Sequence, residues 1–388
     1  MKTSCVFSIL NAALSAAAIT HPGLLHTEDD FERIKGFVSA KQEPQLTGWN
    51  KLVAHADAAY EPAAKETVCR GSDCETENYP SLYKDVAAAY INAVYWKVTG
   101  TEENADAAAA ILDAWSSTLK TIEGGSDRFL AAGIYGYQLA NAAEILRTYE
   151  KWTGLEDVAA LLQDVFLPMN EDFLIRHNDA EIDHYWANWD LCNLASIHAI
   201  GVVADNQTAI DRAITYFKEG EGNGALEKAI WKIHTEEDTG KALGQGQEAG
   251  RDQGHSLLDF GLLGALAQQA YNQGEDLFAL SDNLILAGAE YVFKYNTGND
   301  VPYTEYTNSD ETQSVISEAS RGELRPIAEL LYAHYNGIKK LDASWTKAYR
   351  DLLIEDGEGA EGGSGDYGTT SGGYDVFGFG TALYRLEE

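Results

Sequence analysis

Apolar and small residues recur along most of the chain every three or four positions, the spacing of helices that bury one stripe. Over 85–98 they are Val86, Ala89, Tyr90, Ala93 and Val94; over 105–119 they are Ile111, Leu112, Trp115 and Leu119; over 127–152 they are Leu130, Ile134, Tyr137, Leu139, Ala143, Ile145 and Leu146. The same pattern predicts helices at about 157–175, 183–204, 207–219, 251–271, 275–296, 318–336 and 342–355. Gly100, Gly154, Gly201, Gly274 and Gly298 punctuate them as helix stops. Short strands are expected only near 301–306 and 374–384. No linker divides the chain and no exact repeat is visible. Helical hairpins packed in series follow, an all-α architecture that can close into an α/α toroid, an incomplete barrel whose inner helices line a central cleft. An open solenoid or a bundle satisfies the same periodicity.

Composition narrows the class. The 388 residues are 45% hydrophobic and 23% charged, so wholesale disorder is excluded. A formal net charge of −33 argues against nucleic acid as a partner. Lys2 followed by the apolar, small-residue stretch Val6 to Ala18 reads as a signal peptide over 1–18 with an A-x-A cleavage site, leaving 19–388 as one catalytic domain. No later segment offers about 18 uninterrupted apolar residues, so a secreted protein with no membrane partner, and a monomer, is expected. Cys5 falls in the leader, Cys69 and Cys74 flank a short polar loop and are expected to pair, and Cys192 reads as a buried free thiol. No CxxC or HExxH spacing points to a metal, and no cofactor is implied. Asn206-Gln207-Thr208 is an N-glycosylation sequon. Gly357 to Gly373 reads as a flexible surface loop, after which the aromatic tail Tyr374 to Thr381 docks back onto the body.

Four stretches can carry chemistry. In Gly250-Arg251-Asp252-Gln253-Gly254-His255-Ser256, a helix would place Arg251 and His255 on one face; a solvated helix start is the alternative. In His184-Tyr185-Trp186-Ala187-Asn188-Trp189-Asp190-Leu191-Cys192, the side chains of His184, Asn188 and Cys192 would share a stripe, either as a sugar site, with Trp186 and Trp189 as stacking surface, or as a satisfied buried network. The loop 295–306 carries Tyr303 and Tyr306, proton donors or packing residues. Around 317–325, Arg321 and Arg325 either hold ion pairs or face a carboxylate in the cleft. Asn92, Gln138 and Asn141 are polar positions in apolar helices, expected to bond internally or to reach the cleft.

His21-Pro22-Gly23-Leu24-Leu25, the Leu-Ala-Ala-Gly-Ile and Asn-Ala-Ala-Glu-Ile-Leu-Arg runs within 124–147, Gly250 to His255, and Asn272-Gln273-Gly274-Glu275-Asp276-Leu277 together resemble the alginate-lyase-like polysaccharide lyases. The resemblance runs from about His21 to Tyr384, and within that superfamily it is nearest to the alginate and glucuronan lyases of polysaccharide lyase family 38. It implies an α/α toroid and β-elimination on a 4-linked uronate. In the better-known alginate lyases an Asn-His pair precedes a Tyr-Trp-Ala-x-Trp run; here Ile182-Asp183 stands in its place before Tyr185-Trp186-Ala187-Asn188-Trp189, so that pair's roles do not carry over.

The implied reaction has three requirements: the substrate carboxylate must be neutralised, a base must take the C5 proton, and an acid must protonate the departing O4. Neutral His, Tyr, Asn and Arg side chains meet them without a metal. The expected roles are Asn188, with Arg251 or Arg321, at the carboxylate; His255 as base; and Tyr303 or Tyr306 as acid, one tyrosine serving both roles for one C5 epimer. His184, Trp186, Trp189 and Gln138 are expected to bind the anionic uronate polymer. Salt screens charge beyond roughly 8 Å, so Arg128, Arg251, Arg321 and Arg325 would need to cluster locally in so acidic a chain. Two other readings compete. An inverting glycosidase would use two carboxylates about 6.5–9.5 Å apart, from Asp183, Asp190, Glu248 and Asp252. A sugar-binding protein that has lost activity would explain the missing Asn-His pair.

Overall fold

Helix follows helix in the computed structural model, which describes residues 18–386. Cys5 and the predicted leader up to residue 17 lie outside the described residues. Helices α1 (Glu28–Ala40) and α2 (Gln45–His55) come first. The parallel pair β1 (Thr67–Cys69) and β2 (Thr121–Glu123) brackets α3 (Pro80–Thr99) and α4 (Glu102–Thr118). Next come α5 (Arg128–Leu146), α6 (Leu155–Leu161), α7 (Leu167–Arg176), α8 (Ala187–Val203), α9 (Gln207–Glu219) and the single turn α10 (Leu226–Ala229). An antiparallel hairpin, β3 (Ile230–Thr235) and β4 (Ala242–Gly246), precedes α11 (Gln253–Asn272) and α12 (Leu280–Asn296). The short pair β5 (Tyr306–Thr307) and β6 (Thr312–Gln313), then α13 (Ala328–Tyr332), α14 (Ser344–Asp356) and α15 (Gly380–Leu383), complete the chain.

The helices form an α/α toroid. An inner layer runs α3 on α5, α5 on α8, and α8 on α11, while α4, α7, α9 and α12 back it from outside. Helices α5, α8 and α11 are buried almost all round and carry no polar stripe, whereas outer α9 buries only Ala209, Ile210, Ala213 and Phe217. Close approach of α5 and α8 depends on glycine: a Cβ at Gly133 would lie 2.3 Å from Cys192 Sγ, and one at Gly136 would lie 2.3 Å from Ser196 Oγ. The inner helices are parallel. Gly133 and Gly136 meet Cys192 and Ser196 in the same order, and Arg147, just past α5, donates to the carbonyl of Val203 at the end of α8. All four inner N-termini therefore open at one end of the ring.

Several sequence expectations change. Helix α8 starts at Ala187, so His184 is not on it, and α11 starts at Gln253 with Asp252 as its N-cap, so Arg251 precedes the helix. Gly201 lies inside α8, where the Ile210 side chain presses against it. The helix expected over 318–336 is confined to Ala328–Tyr332 and a π turn at Ala333–Ile338, because Gly322 takes φ +83° and Pro326 follows. The 374–384 segment makes one bridge, Gly363 to Gly378, and helix α15 in place of a strand. The tail does dock: Tyr137 Oη donates to the Asp375 carbonyl at 2.7 Å, and Phe377 stacks on Tyr90 at 3.7 Å between centroids. Residues 360–364, expected in a flexible surface loop, are buried beneath it. The Cys69–Cys74 disulfide is formed and Cys192 is a buried thiol.

Candidate active site at the inner helix N-termini

The N-cap of α8 is Trp186, whose side chain offers no cap. The turn after β4 supplies one from outside. Gln247 Oε1 accepts from the Ala187 amide at 2.8 Å, and Glu248 Oε1 accepts from the Asn188 amide at 3.3 Å. Glu248 is fully buried, and it also takes Asn188 Nδ2 at 2.5 Å and Arg251 Nη1 at 2.7 Å. Such an acceptor fixes the amide with its nitrogen toward Glu248, leaving Asn188 Oδ1 and the second N–H for another partner. Beneath this cluster lies buried Asp259. Burial, reinforced by the charge of Glu248, pushes its carboxyl well above the usual range.

One turn into α11, His255 Nδ1 lies 2.6 Å from Asp252 Oδ2, while Asp252 Oδ1 caps the His255 amide at 2.8 Å. Burial alone would raise Asp252, but its bonds to His255 and the neighbouring Arg251 hold it below the ordinary value. This contact places the proton on Nδ1 and leaves Nε2 as the open acceptor. Arg251 packs over the Trp186 ring at 5.4 Å, and Trp186 neighbours Tyr306 at 6.2 Å between centroids. Burial pushes the Tyr306 phenol up, with the charges of Asp183 and Glu248 adding, so it stays protonated. Gln247, buried beside it, reaches the phenol through its side-chain amide and opposes that rise. Asn188, Arg251, His255 and Tyr306 are thus joined through Glu248, Asp252 and Trp186.

The remaining candidates sit elsewhere or serve other ends. Tyr303 Oη donates to the Gln313 carbonyl at 2.8 Å, and burial pushes its phenol up to about 12. The Arg321 guanidinium stacks on Tyr295 and donates to the Tyr295 and Asn299 carbonyls and to Asp300, so it does not join Arg251. Gln138 is buried and donates to the Tyr374 carbonyl, which ties down the tail. Trp189 is buried against Phe173 and Tyr185 and shapes the site from below. His184 is half-buried, edge-on to Tyr185 and 3.9 Å from Asp310. Asn206 caps α9 through Oδ1.

Two arginines gain in importance. Arg70, between the paired cysteines, donates to Tyr135 Oη at 3.2 Å and lies over the Tyr79 ring at 5.0 Å. Arg128, at the start of α5, donates to Asn178 Oδ1 at 3.0 Å. Arg70 was not singled out from sequence; its place inside a cysteine-clipped loop was the available signal. Burial raises the carboxyl of Asp375 above its ordinary value, against the charges of Arg325, whose Nη1 lies 3.5 Å away, and of Arg70.

Two of the four carboxylates considered for a glycosidase are withdrawn from solvent: Asp190 is buried and bonded to His177, Tyr216 and the Gly224 amide, and Glu248 is buried and bonded to Asn188, while Asp252 is bonded to His255. A groove of about 810 Å³ lies between α4 and α6; Asp113, Asp157 and Asp164 outnumber Lys120 along it, which disfavours an anionic polymer there.

The fold recurs in solved alginate lyases. One from Bacteroides ovatus superposes with a TM-score of 0.62 at 12% identity, covering 95% of this chain and 100% of that one. Alginate lyase A1-III from Sphingomonas species A1 gives 0.55 at 14% identity, covering 82% and 90%. A variant of alginate lyase A1-III complexed with a tetrasaccharide gives 0.56 at 14%, covering 83% and 90%. The sequence matches none of the curated proteins it was compared with. The helical toroid is thus that of a class of polysaccharide lyases. The family model described as alginate lyase matches residues 53–301, and the chain belongs to that family. It is a polysaccharide lyase.

Proposed function

We propose that this lyase is secreted and cleaves a 4-linked uronic-acid polymer, alginate rich in mannuronate or glucuronan, by β-elimination. The observation that supports this reading most is the single network linking Asn188, Arg251 and His255 next to the protonated Tyr306. Arg251, with N–H groups left over from Glu248, neutralises the substrate carboxylate, and the free N–H of the Asn188 amide, buried beside it, donates to the same group, which lets C5 lose its proton. His255 Nε2 takes that proton. The electron pair forms the C4–C5 double bond, the C4–O4 bond breaks, and Tyr306 Oη gives its proton to the departing O4. No water is consumed. The raised Tyr306 phenol favours the acid role, and because the Tyr303 hydroxyl is committed to Gln313, the acid is Tyr306. The polymer is expected to be the one partner, bound by one copy of the chain with no cofactor.

Ultraviolet absorbance is followed with purified protein against polymannuronate, polyguluronate and glucuronan in parallel. A rise from the conjugated double bond on one of them is the expected result, and the fastest polymer names the substrate. Saturated reducing ends without that rise would overturn elimination.

A further inference from the structure

We propose that Arg70 and Arg128 form a second carboxylate-binding subsite, for uronate residues flanking the one that reacts. The proposal rests on the uronate-lyase reading and extends it to residues which that reaction does not use.

Charge accounting singles out this pair. In a chain of net charge −33, every other arginine in the described residues has a carboxylate within 4.0 Å. Arg70 and Arg128 have none there. Their partners are neutral: a phenol, the Asn178 amide oxygen and the Gly125 carbonyl. A guanidinium has five N–H donors in a planar fork, and these contacts leave donors unused at both positions.

The two are held as one unit. Gly124, at φ +106°, lies against the cysteine loop so closely that a Cβ there would be 2.1 Å from the Arg70 carbonyl oxygen and 2.7 Å from Cys74 Sγ. The disulfide loop is therefore seated on the turn that starts α5, the helix that carries Arg128 and Tyr135. On the far side, His177, Asn178 and Asp179 hold left-handed backbone at φ 46°, 53° and 61°. Three such non-glycine residues in a row cost energy, and they aim Asn178 at both Arg128 and Tyr185 Oη, the latter at 3.0 Å. The half-buried rings Tyr79 and Tyr374 suit sugar faces, and buried Tyr83, 4.7 Å from Tyr374 between centroids, backs them. The N-terminal ends of α3 and α5 add positive potential at the same place. Tyr185, bonded to Asn178, packs on Trp189 of α8 at 4.7 Å between centroids and so ties this surface to the reacting side.

The test compares a uronate hexasaccharide with a disaccharide, by calorimetric binding and by the double-bond absorbance. Arg70→Ala and Arg128→Ala are each expected to weaken hexasaccharide binding roughly tenfold to a hundredfold, the scale of a lost charge-assisted bond. KM on the polymer rises in proportion, kcat stays within about twofold, and disaccharide binding is unchanged. Arg70→Lys keeps the charge without the fork and is expected to fall between, which separates recognition from folding if the alanine variant melts early. Elimination by the wild type with unchanged hexasaccharide binding in folded Arg70→Ala and Arg70→Lys overturns the subsite. Arginine-dependent binding without any double bond from the wild type overturns the reaction and keeps the subsite.

Discussion

The two halves of the site treat charge in opposite ways. Around α8 and α11 each basic side chain is matched to a carboxylate: Arg251 to Glu248, and His255 to Asp252. Around α3 and α5, Arg70 and Arg128 contact only neutral groups. Matching immobilises a side chain and sets its tautomer or amide orientation, as catalysis requires. Leaving a cation unmatched keeps its charge available to a ligand. The first half is built to react and the second to hold, so variants on the two sides should divide between kcat and KM.

The largest effect is expected on the reacting side. His255→Ala and Tyr306→Phe should each lower kcat by roughly a hundred- to ten-thousandfold with KM little changed, the range for removing a general base or acid. Steady-state rates on the fastest polymer test this. If kcat stayed near the wild-type value in folded His255→Ala, the base would lie elsewhere and the division into halves would lose its reacting member.

Much of that half was legible in the sequence, because Trp186, Asn188, Arg251 and His255 lie in two contiguous runs, 184–192 and 250–256, whose polar density stands out before apolar helices, whereas the capping of α8 by Gln247 and Glu248 was not. What the periodicity misjudged was local. Asp252 takes the N-cap of α11, so Arg251 and His255 converge through Glu248 and Asp252 and not by sharing a helix face. The other half was legible only at Arg128, because it is dispersed. Positions 70, 79, 128, 135 and 178 each sit in ordinary local contexts, and the packing of α3 on α5, with the turn after α7, brings them together. Helical hairpins and the toroid follow from spacing and glycine stops, whereas the β3–β4 hairpin, at 230–246, has no long period-two alternation to announce it.

A middle-sized effect separates positioning from chemistry. Glu248 touches no substrate in the proposed mechanism but orients both Asn188 and Arg251. Glu248→Gln turns a donor toward two donors, and kcat should fall by about a hundredfold through misplacement alone. Arg251 and Asn188 would then lose their mutual coupling, so a double-mutant cycle between them should give additive losses in the Glu248→Gln background and non-additive losses in wild type. Additivity in both would mean Glu248 does not position them.

Titration gives a smaller, pH-dependent signature of the same half. Unfolded, Asp259 titrates near 3.8; folded, it is held well above that by burial and then by the charge of Glu248. Below the unfolded value both states are protonated and the stabilisation is complete. As pH rises, the unfolded chain releases its proton first, so stability falls by about 1.4 kcal/mol per pH unit until the folded value is passed. Asp259→Asn removes this slope. The melting-temperature difference between variant and wild type should be constant below about pH 4 and shift steadily in favour of the variant above it. A difference that does not change with pH would show that Asp259 is ionised in the fold.

The smallest effect belongs to the holding side and probes the clip. Cys69 and Cys74 close a loop only a few residues long, so the loss of chain-entropy stabilisation in the Cys69→Ser/Cys74→Ser protein is about 2 kcal/mol. The loop still has β1 paired with β2 on one side and the Gly124 turn beneath it, so Arg70 should remain near its place but sample more orientations. Polymer KM is then expected to rise a few fold, less than for Arg70→Ala, while kcat and the Asp259-dependent pH slope are unchanged. Kinetics on polymer and disaccharide decide it: a KM increase confined to polymer keeps the two halves separate. A matching fall in kcat would show that the loop reaches the reacting residues, and the holding side would then have to be treated as part of the catalytic one.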